Sequence, residues 1–127
     1  KYKNMYNEKY LYFRDQAGTD DGSDDSCCFP LSSLTGLLPA SNTTLSVFFK
    51  SMKQYDGDTI GSGEVVTTDI VTLTITEDKH REVIQDIMNS ILSNDTMITI
   101  GDDRVPTSFC STNISAVASI VIDGANS

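Results

Sequence analysis

Covalent chemistry needs a nucleophile held beside a base, or thiols and carboxylates converging on a metal. Few residues of this chain suit either role. His80 is the single histidine. It falls in the first turn of a helical pattern, where the helix dipole opposes its protonated form. No Ser or Cys stands in a nucleophile elbow such as G-x-S-x-G, so His80 reads as a surface residue or a cap on a sheet edge. Cys27, Cys28 and Cys110 would, with His80, match a Cys₃His zinc site in number, but they lack C-x₂-C spacing. Adjacent cysteines bridge only through a strained ring. The thiols are therefore expected to be buried and reduced, with a single bridge to Cys110 as the alternative.

Oxygen ligands are more plentiful. Asp56-Gly57-Asp58-Thr59-Ile60-Gly61 begins like an EF-hand loop, with Asp at positions one and three and Gly at six. It fails at position five, Ile60, and at position twelve, where Thr67 replaces the bidentate Glu. Asp20, Asp21, Asp24 and Asp25 form a second acidic cluster. Solvated turns are the expected state of both. Phosphate-cradling G-x-x-x-x-G-K and G-x-G-x-x-G patterns are missing from the sequence. Sequons at Asn42, Asn94 and Asn113 match the frequency expected of a chain rich in Asn, Ser and Thr. The sequence thus implies no catalytic residue, no metal ligand and no cofactor.

The elements that would position any site come next. Residues 1–14 carry Lys1, Lys3, Lys9 and Arg14 against Glu8 alone, while the remainder holds 5 basic and 17 acidic side chains. Four of the five tyrosines (Tyr2, Tyr6, Tyr10 and Tyr12) share this opening stretch. It reads either as an edge strand whose tyrosines cover a sheet, or as a basic, aromatic arm that docks on an acidic neighbour. Tyr2, Tyr6, Tyr10, Tyr12, Phe13 and Arg14 are the expected partner-contact residues. Residues 15–127 are expected to form one domain. They open on an Asp-rich loop running from Asp15 to Cys28, followed by a short edge strand and a packed loop broken by Pro30, Gly36 and Pro39.

Clearer periodicity follows. Leu45, Val47 and Phe49 alternate with polar neighbours, although Phe48 interrupts the polar face; Val71, Leu73 and Ile75 alternate with Thr72, Thr74 and Thr76. The period then changes to 3.6. Val83, Ile84, Ile87, Met88, Ile91 and Leu92 make one apolar stripe, predicting a helix over 79–93 with Thr76 or Asp78 as its N-cap. Such a helix is roughly 21 Å long, matching a six-residue strand at roughly 20 Å. Short strands are expected at 97–100 and 114–122, the latter with Ala116, Ala118, Ile120 and Ile122 on one face. The predicted fold is α+β: a mostly antiparallel sheet of about five to six strands with one amphipathic helix packed on one face.

Composition narrows the function classes. The chain has 127 residues, 39% hydrophobic and 21% charged, with a formal net charge of −9. A chain this size buries roughly two-thirds of its unfolded surface. Its charge opposes broad binding to nucleic acid or anionic lipid. No apolar run reaches the roughly 18 residues of a membrane helix, and no signal-peptide core opens the sequence. The leading class is a structural or assembly protein and, as the alternative, a small binding module, receptor- or glycan-directed or calcium-dependent; a small enzyme and an acidic mimic of nucleic acid stand behind these two.

Three blocks carry a resemblance: TTLSVFFKSM (Thr43–Met52), DIVTLTITEDKHREVIQDIMNSI (Asp69–Ile91) and NISAVASIVI (Asn113–Ile122). In this succession they resemble small acidic virion structural proteins of marine tailed bacteriophages, including phages of cyanobacteria. The likeness spans about half the chain and excludes the Tyr-rich opening and the Cys27-Cys28 pair. It implies a non-enzymatic decoration or cement protein on the outer capsid surface of a virion. Its expected partners are other copies of itself or the major capsid protein, with no nucleic acid and no membrane.

Overall fold

The computed structural model describes residues 8–16, 25–51 and 68–122. Within them β1 (Tyr10–Arg14), β2 (Ser26–Pro30), β3 (Leu34–Ser41), β4 (Thr44–Lys50) and β5 (Thr68–Ile75) precede α1 (His80–Ile91). Then come β6 (Met97–Asp102), β7 (Ser108–Phe109) and β8 (Ile114–Val121). The fold is α+β and mostly antiparallel, as the sequence predicts. Instead of about five to six strands in one sheet, the described residues hold eight in two sheets, ordered β2-β1-β6-β7 and β3-β4-β5-β8, and among them only β1 with β6 runs parallel.

The two inner faces meet in one core. Period-two alternation sends Leu11, Phe13, Phe29, Ile98 and Ile100 inward from the first sheet. Leu45, Val47, Phe49, Val71 and Leu73 meet them from the second, and Val83 and Ile87 of α1 join this cluster. At its centre the rings of Phe29 and Phe49 stack 3.9 Å apart, and Phe13 meets Phe49 edge-on at 5.8 Å. Such contacts add about 0.5–1.5 kcal/mol per pair beyond burial. Truncating any one ring would cost about 3–5 kcal/mol.

Several expectations need correcting. The stretch predicted as a packed loop is the eight-residue strand β3. Pro39 is tolerated because β3 is the sheet's outermost strand and its register shifts between Pro39 and Ser41. Cys27 and Cys28 belong to β2 rather than to the acidic loop. In β8 the buried residues are Ile114, Val117 and Ile120, a spacing of three, and Ala118 is exposed. Two register shifts against β5 cause this: Thr72 and Leu73 pair with Ser119 and Val117, and Thr74 and Ile75 with Ala116 and Ile114. Each shift inserts one unpaired residue into β8 and resets which residues face inward.

The helix begins later than the capping pattern implies. Lys79 is the N-cap and makes no side-chain capping bond. Asp78 adopts a left-handed φ of 63°, which Asp tolerates better than most residues. Its N–H donates to Asn42 O at 2.9 Å, tying the turn to the β3–β4 hairpin. The apolar stripe is also wider than the face it buries. Met88 and Leu92 remain 37% and 80% exposed.

Candidate functional site

β1 lies between β2 and β6, so residues 10–14 form an inner strand rather than an edge. The alternation divides the expected contact residues. Phe13 is fully buried and Leu11 nearly so, and Phe13 therefore has no surface to offer a partner. Tyr10 is 39% exposed, and Tyr12 is half-buried on the same outward face. Arg14 is held in a two-point ion pair: Nε donates to Asp102 Oδ1 at 2.7 Å and an Nη to Oδ2 at 2.9 Å. Tyr2 and Tyr6 lie outside the described residues, as do the Asp56–Gly61 motif and Asp20, Asp21 and Asp24.

Ahead of β1, Lys9 crosses to the far end of the helix. Its ammonium donates to the carbonyls of Ser93 and Asp95, the latter at 3.2 Å. A cation there complements both the unpaired carbonyls and the negative pole of the helix dipole. This link sits at the rim of an open groove of about 300 Å³, lined by Ser90, Ser93, Met97, Thr99, Phe109 and Cys110. Helix end, β6 and β7 bring these residues together from three separate stretches of chain. No local sequence pattern marks them.

The residues singled out for chemistry are occupied with holding structure. His80 Nε2 donates to Ser41 O at 2.7 Å, with Thr44 O at 3.1 Å, clamping the end of the β3–β4 hairpin onto the helix start. Ser111 Oγ donates to Asp86 Oδ2 at 2.6 Å and accepts the Asn113 N–H at 3.1 Å. Asp103, 8% exposed, accepts the Val117 N–H at 2.9 Å beside one of the β8 irregularities. Sequence reasoning missed this last role, which only the register of β8 creates.

All three cysteines are free. Burial, reinforced by the neighbouring Cys28 and Asp69, pushes the Cys27 thiol up to about 12. Burial also raises Cys110 to about 11, against the opposing pull of a hydrogen bond with Ser90 and with some help from the charge of Asp86. Cys28, expected to be buried, is exposed, although partial desolvation still lifts its thiol above the ordinary value. Thiols this hard to ionise are poor nucleophiles near neutral pH. Among the described residues, no three His, Cys, Asp or Glu converge as metal ligands would. No helix among them is long and apolar enough to cross a membrane.

What the surface does offer is contact area. Leu92, 80% exposed, directly precedes Ser93 of the groove wall; Met97, 54% exposed, lines the groove itself, and Tyr10 is its cross-strand partner. Set against family models, curated proteins and solved structures, the chain matches none of them.

Proposed function

We propose that this chain is a non-enzymatic structural protein of a bacteriophage virion, a decoration or cement protein on the outer capsid surface. It would bridge shell subunits by contacting other copies of itself or the major capsid protein, without a cofactor, nucleic acid or membrane. One observation carries the reading. The end of the molecule where α1, β1 and β6 meet leaves Leu92, Met97 and Tyr10 uncovered, and the basic, aromatic stretch 1–9 enters the fold at that same end through Lys9. Large apolar side chains grouped beside a charge opposite to the rest of the molecule suit a protein contact. The polar groups that chemistry would recruit, His80 and the Cys27 and Cys110 thiols, are instead clamped or held protonated.

Sedimentation velocity tests this, with the purified chain run alone and mixed with capsids that lack it. Self-association or co-sedimentation with the shell is the expected result. A chain that stays monomeric and leaves the capsids bare would overturn the proposal.

A further inference from the structure

The connection between β6 and β7 presents an apolar tip on a fixed base. Residues 103–107 join the two strands, and three hydrogen bonds hold the base of this loop. Asp103 N–H donates to Arg14 O at 2.9 Å, Asp103 Oδ2 accepts the Val117 N–H at 2.9 Å, and Arg104 N–H donates to Asp102 Oδ1 at 3.2 Å. Beyond these anchors Val105, Pro106 and Thr107 are exposed. Val105 is 86% exposed, more than any other large hydrophobic side chain among the described residues. A tip carried on a fixed base forfeits little conformational freedom when it docks.

A receiving shape lies on the same molecule. β7 pairs with β6 only at Gly101 and Asp102. Beside the earlier residues of β6 runs the groove, with Met97 and Phe109 as apolar walls. Val105 is too exposed to be filling it. The loop leaves β6 after Asp102, roughly 17 Å along the strand from Met97. Tip and groove are therefore two separate patches, and both are open.

Building on the assembly function proposed above, we infer that Val105 of one copy docks in the groove of a second copy, against Met97 and Phe109. Charge supports this occupant. Asp95 is the one charged side chain lining the groove, and Arg104 is the one charged residue between positions 104 and 110. A guanidinium has five donors, so Arg104 can meet Asp95 of the next copy while keeping contacts within its own chain. Copies with a net charge of −9 repel at long range, which leaves the contact to this opposed pair and to the apolar surface it covers on Val105 and Met97. Each copy gives one tip and receives another. The assembly is head-to-tail, closing into a ring or continuing as a filament, rather than a two-fold pair.

Sedimentation velocity on the full chain, at constant salt, should show species larger than a dimer that grow with concentration. Val105→Asp and Met97→Asp each alter an exposed side chain outside the core, and circular dichroism checks that each variant folds. Either alone should weaken the contact by about tenfold or more, as loss of a central contact does. Mixed together, the two variants should form a one-to-one dimer that grows no further, because one keeps its groove and the other its tip. Asp95→Lys should weaken the contact about two- to fivefold, even though it lowers the repulsion between copies. Leu38→Asp, on the opposite sheet, should change nothing. Wild-type chains that stop at a dimer, tip and groove variants that assemble like wild type, a mixture that stays monomeric, or an equal loss from Leu38→Asp would overturn the head-to-tail contact while leaving the assembly reading intact. So would a monomer that still binds capsids. A monomer that ignores capsids would overturn both.

Discussion

Gly101 offers a direct test of how closely the two sheets approach behind the groove. A Cβ there would stand 3.0 Å from Val117 Cγ2, 3.5 Å from Phe109 Cδ1 and 3.7 Å from Leu73 Cδ2. Comfortable carbon–carbon separations are about 3.5–4.0 Å, so Val117 must retreat by a few tenths of an ångström. It has little room to do so. Val117 is 2% exposed, its β-branch restricts χ1, and its backbone N–H is fixed by Asp103. Overpacking of this kind costs about 1–3 kcal/mol. Replacing Gly at an ordinary φ returns about 0.4–1 kcal/mol through the unfolded chain, and Gly101 does not have a left-handed φ. The steric cost is the larger, and Gly101→Ala should destabilise by about 1–2 kcal/mol. Val117→Ala removes the clashing methyl, so in the double variant the two costs should fall short of additive by about 1 kcal/mol. Urea unfolding with linear extrapolation measures all four corners of the cycle. A neutral or stabilising Gly101→Ala, or a cycle without coupling, would refute the packing of β6 on β8 described above.

Two further outcomes follow from the clamped and buried side chains. At pH 8, a thiol reagent such as Ellman's should modify the exposed Cys28 first, with the half-buried Cys27 and Cys110 reacting more slowly; simultaneous reaction of all three would contradict this order. Because both half-buried thiols titrate higher folded than unfolded, their protonated state favours the fold fully below about pH 9. That contribution should be lost progressively as pH rises through about 11 and 12, visible as a fall in the urea midpoint that mutation of both cysteines to Ala flattens. His80→Ala should cost about 1 kcal/mol and speed amide exchange at the β3–β4 hairpin end, and unchanged protection there would remove the clamp.

The fold was legible wherever one face of an element meets the core and the other meets water. β5 and α1 satisfy that condition, and their periods of 2 and 3.6 survive in the burial of Val71, Leu73, Ile75, Val83 and Ile87. β8 does not announce itself in the same way. Its two inserted residues convert an alternating strand into one that buries every third side chain, and the partner that sets those insertions lies some forty positions upstream. β3 was hidden for a different reason. Pro39 and Gly36 break periodicity in the chain, yet an outermost strand with shifted register accommodates both. A two-residue strand such as β7 carries no period at all.

The opening segment shows how one stretch of sequence can hold two roles at once. Tyr10, Leu11, Tyr12, Phe13 and Arg14 look like a uniform aromatic cluster, and composition alone assigns them all to one purpose. The pleat separates them. Leu11 and Phe13 are committed to the core, and Arg14 is committed to Asp102 across the parallel pair. Tyr10, and in part Tyr12 and the paired Arg14, face outward. If a partner binds here, its energy must therefore come from Tyr10, from the exposed Met97 and Leu92, and from residues ahead of β1, rather than from the strand as a whole. Substituting Phe13 would report on folding and substituting Tyr10 on assembly. The proposed function makes those two outcomes separable in a single pair of variants.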